Sequence, residues 1–300
     1  MFASCFAFSD KRFLYNRPAM NQKTNRVENL IIDMDGVLWH GEKPVPGLVK
    51  FFDEISRRQI NFVLATNNAS NTPEQYAEKL TRFGVAVPSE QILTSAEATA
   101  SYLVETHPDY RSAYVVGEIG LRKAMSSRGY KILDAEVEDL LTIQADVVVA
   151  GMTRHVCYHD LAIANHLIGK GAAFFGTNPD VTFPSEHGPM PGAGSILAFL
   201  QTSSGVEPTV IGKPNSAMFF EAIRRLGGSA DNTVMVGDRI NTDIVGAQMV
   251  GLRTVLLLSG IATQENLVAA EIKPDWVFDN LDTYTNAFGY AFPVPETTND

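Results

Sequence analysis

Asp33-Met34-Asp35-Gly36-Val37 follows directly on the apolar run Leu30-Ile31-Ile32. A short buried strand gives way there to a turn, and two carboxylates stand two residues apart at its end. Side chains alternate faces along a strand, but a chain that bends at the strand end can bring both onto one point. Two converging carboxylates repel unless a cation or a shared proton compensates. The pair therefore asks for a metal-assisted site with one ionised acid and one that can carry a proton. Gly36 permits the turn out of the sheet.

Three further segments carry a complementary group at the end of an apolar run. Phe62-Val63-Leu64-Ala65-Thr66-Asn67-Asn68 ends on a hydroxyl and two amides. Val210-Ile211-Gly212-Lys213-Pro214 ends on an ammonium. Val234-Met235-Val236-Gly237-Asp238, continuing to Asp243, adds two more carboxylates. Ligands of open parallel sheets bind outside the carboxyl ends of the strands. Each group also has a bland reading: Thr66 as a helix cap, Lys213 as a solvated loop lysine, Asp238 as a simple turn. With the Asp33–Asp35 pair read as a solvated turn as well, four such coincidences are needed at once, and the catalytic reading removes them.

The chain alternates strand and helix, which predicts a parallel sheet. Strands are expected at residues 30–33, 61–66, 234–236, 254–258 and around Val210, with an edge strand at 275–278. Helices are expected at 48–58, from Pro73 to about Phe83, and at 216–226, ending at Gly227-Gly228. Residues 36–47, with Pro44 and Pro46, read as a hairpin or loop. The stretch 97–206 has its own alternation, with strands at 113–116, 147–150 and 173–175 and helices at 118–127 and 159–168. It is long enough to bury a small core of its own. The expected fold is α/β: a three-layer Rossmann-like parallel-sheet core with an inserted α/β cap domain. Residues 27–96 and 207–290 form the core and 97–206 the cap. Residues 1–26 read as a disordered extension, with Met20 an alternative start, and 291–300 as a disordered tail.

Lys+Arg 24 against Asp+Glu 34 gives a net charge of −10, which argues against a nucleic-acid partner. No apolar run is long enough to span a bilayer. The apolar Phe2–Phe8 stretch precedes its basic residues, the wrong order for a secretory signal. Cys5 and Cys157 form neither a zinc-type spacing nor a disulfide framework, so a reducing cytoplasm is the expected setting. His155 and His159 stand at i, i+4 without a Glu or a third ligand, and read as structural or surface residues. Pro191-Gly192-Ala193-Gly194-Ser195 reads as a tight turn opening a helix rather than a dinucleotide fingerprint. Trp39 and His40 read either as lining the site entrance or as an apolar anchor for the hairpin.

The ordered set from Asp33 to Asp243 resembles the haloacid dehalogenase superfamily of phosphohydrolases. The resemblance runs from about Val27 to about Tyr284. It takes in Gly176-Thr177-Asn178-Pro179-Asp180, Pro191–Ser195 and Gly237-Asp238-Arg239-Ile240-Asn241-Thr242-Asp243. Within that superfamily it is similar to the branch of sugar-phosphate, pyridoxal-phosphate, phosphoglycolate and 4-nitrophenyl phosphatases with a large cap after the second motif. The interval from Asp33 to Thr66 holds one hairpin and one helix and has no room for a cap. The interval from Thr66 to Lys213 has ample room, which disfavours the phosphomutases of the superfamily.

The resemblance implies a Mg2+-dependent phosphatase that works through an aspartyl-phosphate. Asp33 is then the nucleophile, since a carboxylate can split phosphoryl transfer into two easier steps. Asp35 is the acid/base for the leaving alkoxide and the attacking water, and lends its backbone carbonyl to the metal. Asp238 is a direct metal ligand, and hard oxygen donors suit Mg2+. Asp243 stands behind it, holding a water of the metal or orienting Lys213. Lys213 bridges Asp33 and the phosphate. Thr66 and Asn67 offer a hydroxyl and a backbone N–H to phosphate oxygens, and Asn68 reaches toward the rest of the substrate. The expected partner is a small phosphorylated metabolite, with a homodimer left open. The loop Asp180–Gly188, with Glu186 and His187, is expected to read the substrate beyond its phosphate. Rival readings are a pyridoxal-phosphate or phosphoglycolate phosphatase, a dehalogenase, and a catalytically silent phosphometabolite binder. Asp35 and Asp238 argue against the dehalogenase, and a nucleophile together with an acid argues against the binder.

Overall fold

Leu30 and Ile32 bury on one face of the first strand and Ile31 on the other, and this alternation generates the layers of the molecule. The structure, a computed structural model, describes residues 27–136, 140–185 and 188–288. The expected disordered extension and tail, and Cys5, lie outside these residues. So do Glu186 and His187.

The chain opens with β1 (Asn29–Ile32), the hairpin β2 (Trp39–His40) and β3 (Lys43–Pro44), α1 (Leu48–Arg57), β4 (Asn61–Thr66), α2 (Pro73–Arg82), β5 (Ile92–Thr94) and α3 (Ser95–Thr106). There follow β6 (Ser112–Val116), α4 (Ile119–Ser127), β7 (Lys131–Ile132), β8 (Val147–Ala150), α5 (Tyr158–Gly169) and β9 (Ala173–Gly176). A hairpin of β10 (Thr182–Ser185) and β11 (Gly188–Pro191) leads to α6 (Ala193–Ser204) and β12 (Thr209–Val210). The last part runs α7 (Ser216–Leu226), β13 (Thr233–Gly237), α8 (Val245–Met249), β14 (Arg253–Leu257), α9 (Gln264–Ala269), β15 (Trp276–Phe278) and α10 (Leu281–Asn286).

Six parallel strands form the main sheet in the order β15-β14-β13-β1-β4-β5. β1 is central and all four of its residues are buried, as a parallel strand covered on both faces must be. Phe51 and Ile55 of α1 and Tyr284 of α10 pack on the face of Leu30, Ile32 and Val236. Met218, Phe219 and Ala222 of α7 pack with Ile31, Val63 and Met235 on the other. The result is an α/β fold with a Rossmann-like three-layer arrangement. Local signals mark the helix ends. Thr72 and Gln75 form a capping box in front of Pro73 at the start of α2. Gly227, in the left-handed region, closes α7.

A second parallel sheet, in the order β12-β9-β8-β6-β7, lies between β5 and β13 in sequence. Here the structure corrects one expectation. The sequence places Val210 in a strand of the core. It pairs instead with Gly176 of β9, on the edge of the inserted sheet, and two residues were too few to show which sheet they would join. The inserted stretch buries a small core of its own and also shares one with the main sheet. Tyr114, Val116, Val148 and Ala150 pack on α5 and α6, but Ala113, Val115, Val147 and Val149 share one apolar cluster with Ile31, Val63 and Met235 through the helices between. β5, the hairpin β10–β11, and helices α3 and α6 complete the pattern; the turn at Pro191–Ser195 does open α6. Among the described residues no helix is long and apolar enough to cross a membrane.

Candidate active site

Asp33 leaves β1 with its backbone N–H still bonded to the Val236 carbonyl, 2.8 Å away. The turn that follows runs at φ 91° at Gly36, a left-handed conformation. Glycine is required there for a second reason: a Cβ would lie 2.3 Å from Asp238 Oδ2. The turn brings Asp33 into the interior and leaves Asp35 exposed. Two carboxylates two residues apart thus acquire opposite environments.

Lys213 is buried at 2% exposure. Its Nζ donates to Asp33 Oδ1 at 2.6 Å and to the Ala65 carbonyl at 3.0 Å, and pairs in charge with Asp243 Oδ1 at 2.8 Å. Burial opposes its charge, but Asp243 and Asp33 outweigh that and raise its pKa. The peptide bond from Lys213 to Pro214 is cis. The lysine reaches the site from the loop after β12, the edge of the inserted sheet, and not from the end of a core strand.

Asp238 and Asp243 come from β13 and the turn behind it. Residues Ile240–Ile244 form a π-helical turn, a rare conformation that recurs at functional sites. It carries Asp243 back against Gly237, and Asp243 Oδ2 accepts the Arg239 N–H at 3.1 Å. Asp238 Oδ2 accepts the Ile261 N–H at 2.8 Å, while its Oδ1 is buried with no hydrogen-bond partner among the described residues. Gly260 makes room for it, because a Cβ there would sit 1.9 Å from Asp238 Oδ2.

One oxygen each of Asp33, Asp238 and Asp243 lies within 4.8 Å of the others, all three residues buried. Three carboxylates face one ammonium, and two of them, Asp33 and Asp238, are disfavoured as anions. Burial pushes the Asp33 carboxyl well up, helped by Asp243 and Asp238 and opposed by Lys213. Burial, then the Asp243 charge, pushes Asp238 up to about 6. A hard divalent cation fits this donor set, since it would satisfy the orphaned Asp238 oxygen and the surplus negative charge together.

The second run ends where it was expected to. Thr66 is buried at the end of β4, and its hydroxyl oxygen accepts the Asn68 N–H at 3.1 Å, keeping its own proton to donate. Asn68 Oδ1 accepts the Ser70 N–H at 3.0 Å, so that oxygen shapes the loop. The Asn67 side chain donates to the Lys213 carbonyl at 2.9 Å and to Asp180 Oδ2 at 3.1 Å. It therefore fixes the lysine loop, a role its position in the run did not reveal. Asp180 also faces Arg239 at 3.8 Å, so the Gly176–Asp180 segment of the inserted stretch meets two motif segments of the core. Trp39 is a further residue whose contact was missed: its indole N–H donates to Asp35 Oδ1 at 2.8 Å. His40 is exposed. His159 groups with Cys157 and Asp160 near the start of α5, within 4.8 Å of one another; His155 is not part of that group.

A parallel α/β sheet whose strand ends gather an acidic triad, a buried lysine and a threonine defines a phosphohydrolase of the haloacid dehalogenase type. The chain belongs to that family. The family model described as haloacid dehalogenase-like hydrolase matches residues 30–131, and a second HAD-like hydrolase model matches residues 210–284. It is 37% identical to a dihydroxyacetone phosphatase of Corynebacterium glutamicum, over 89% of this chain and 95% of that one. It is 34% identical to an acid sugar phosphatase of Staphylococcus epidermidis, over 84% and 94%. The solved 4-nitrophenylphosphatase of Thermotoga maritima superimposes with a TM-score of 0.80 at 34% identity, over 87% of this chain and 97% of that one. The chain is a phosphoric monoester hydrolase.

Proposed function

We propose that the chain hydrolyses a small phosphorylated metabolite, a sugar or triose phosphate, with Mg2+ and through an aspartyl-phosphate on Asp33. One observation carries the reading: Asp33 is buried and clamped by Lys213, whereas Asp35 of the same turn stays open to solvent. The first environment suits a fixed nucleophile and the second a group that exchanges protons with substrate and water.

Lys213 occupies Asp33 Oδ1 and leaves Oδ2 to attack phosphorus. As that bond forms, the ester P–O bond breaks, and the leaving alkoxide takes the proton of Asp35. Asp35, now ionised, removes a proton from the water that attacks the acyl phosphate. Inorganic phosphate leaves and the Asp33 carboxylate is restored. The Thr66 hydroxyl, the Asn67 N–H and Lys213 hold the phosphoryl oxygens, and Asn68 stands nearest the rest of the substrate. Asp33, Asp238 and the Asp35 carbonyl would hold Mg2+, with Asp243 behind them, and the ion would supply positive charge for those oxygens.

The names of the two curated relatives support a sugar or triose phosphate. Residues 97–206 act as a cap over the site, with Asp180 and Asn178 both in contact with Asn67. An exposed Cys157, free among the described residues, suits a reducing cytoplasm.

The test is a screen of the purified protein with Mg2+ across sugar phosphates, dihydroxyacetone phosphate, pyridoxal phosphate, phosphoglycolate, nucleoside monophosphates and an aryl phosphate. The highest kcat/KM is expected on a sugar or triose phosphate. Asp35→Asn is expected to lower kcat on alkyl esters by about 10^2–10^4, and far less on the aryl ester, whose leaving group needs little proton donation. Equal losses on both would remove Asp35 from the acid role.

Metal binding has its own readout. A carboxyl raised to about 6 from the usual 3.8 favours the folded state at acid pH and costs stability as pH rises through that range. By pH 7 the cost in ion-free protein is on the order of 3 kcal/mol. Mg2+ is therefore expected to raise Tm little at pH 5 and most above pH 7, and excess chelator to abolish turnover. Equal Tm gains at both pH values, or full activity in chelator, would overturn the assignment.

A further inference from the structure

We infer that Trp39 is a positioning residue for proton transfer: its indole N–H holds Asp35 by Oδ1 and so keeps the acid's proton on Oδ2. The inference rests on the reading of Asp35 as the acid.

An indole N–H can only donate. Trp39 Nε1 lies 2.8 Å from Asp35 Oδ1, and among the described residues this bond is what holds the Asp35 carboxyl. The donor itself cannot swing. Trp39 is fully buried. Tyr76 stacks on it at 6.2 Å between ring centroids, Phe83 tilts against it at 6.1 Å, and Lys79 Nζ lies 4.7 Å above the ring. The backbone closes the same loop, with the Gly36 N–H donating to the Trp39 carbonyl at 2.8 Å. A rigid donor is thus set against the one exposed carboxyl of the motif.

The consequence is chemical. The carbonyl oxygen of a carboxylic acid accepts better than its hydroxyl oxygen, so an N–H fixed on Oδ1 selects the acid form whose proton is on Oδ2. When Asp35 is ionised after the first step, the same N–H stays bonded to Oδ1, and Oδ2 remains the oxygen that collects the proton of water. The buried donor is satisfied in both states, so neither step strands an unpaired N–H in the interior. The ring packing and the proton transfer are linked through one atom.

The experiment compares Trp39→Phe, which keeps an aromatic ring and loses the N–H, with wild type on an alkyl and an aryl phosphate. On the alkyl ester kcat is expected to fall about ten-fold, on the aryl ester by no more than about two-fold, with KM unchanged on both. Added to Asp35→Asn, the same substitution is expected to cost little more, because its effect passes through that carboxyl. Phe83→Leu loosens the packing of the ring but keeps the N–H, and is expected to leave the alkyl-to-aryl ratio at its wild-type value. If Trp39→Phe does not fold, the isosteric benzothienylalanine, with sulfur in place of N–H, gives the same readout in a Trp276→Phe background. Equal losses on both esters, or no loss on either, would overturn the positioning role. If Asp35→Asn itself shows no leaving-group dependence, the acid assignment fails. If it does and Trp39→Phe does not, only the role of Trp39 fails.

Discussion

Asp33→Asn is expected to abolish turnover on alkyl and aryl phosphates alike, a loss of at least about 10^4 in kcat, as removal of a covalent nucleophile produces. The leaving group does not matter here, because no acyl-phosphate can form without the carboxylate. The fold is expected to survive. Burial and two neighbouring carboxylates already disfavour the Asp33 anion, and the amide oxygen of asparagine can accept the Lys213 N–H that Oδ1 accepts now, at 2.6 Å. Lys213 keeps Asp243 at 2.8 Å. The Tm of ion-free protein should therefore hold or rise. Phosphate release and thermal melts of the same preparation check both halves. Residual aryl phosphatase activity above about 1% of wild type would place the nucleophile elsewhere.

Lys213→Met is expected to do the reverse to stability while also removing activity. The substitution fills the space of the buried stem but leaves Asp33 and Asp243 facing each other without their shared cation. Breaking one side of a buried pair costs about 3–5 kcal/mol, because the remaining charge is uncompensated. Denaturant melts of ion-free protein should show that loss. Asp33→Asn/Lys213→Met should recover part of it, since one of the stranded charges is then gone. A Lys213→Met protein as stable as wild type would show that both carboxyls are already neutral without the lysine. The two variants separate catalysis from folding: both are inactive, and only one is destabilised.

Much of the site was legible in the chain because its groups sit at fixed offsets from apolar runs. Asp33 follows Leu30-Ile31-Ile32, and Asp238 follows Val234-Met235-Val236. Such runs form buried parallel strands, and their carboxyl ends lie on one edge of the sheet. Thr66 was readable in the same way at the end of β4. The helix limits were marked by Pro73 with its capping box and by Gly227. Beyond the Lys213 contacts that the family resemblance implies, the contacts made across the fold could not be read. Nothing in Val210-Ile211-Gly212-Lys213 distinguishes a core strand from the edge of the inserted sheet, because a two-residue strand carries no face pattern. Trp39 was open to two readings because a large apolar residue in a hairpin can face either way. Asn67 is read for its backbone N–H, and nothing in the run shows that its side chain spans from the Lys213 loop to Asp180.

The sequence by itself determined the α/β alternation, the family, and the cast of charged groups. These depend on local hydrophobic periodicity and on residue types at short spacing, which survive without coordinates. Tertiary structure alone decided how those charges differ. Asp33 and Asp35 are two residues apart and chemically identical, but the left-handed turn at Gly36 buries one against Lys213 and turns the other out to the Trp39 indole. Asp238 rises to about 6 because it is buried beside Asp243, brought back by a π-helical turn. Lys213 meets Asp33 because the inserted sheet returns the chain to the core at that point. Ionisation follows from desolvation and from the distance between charges, and both are properties of the folded chain.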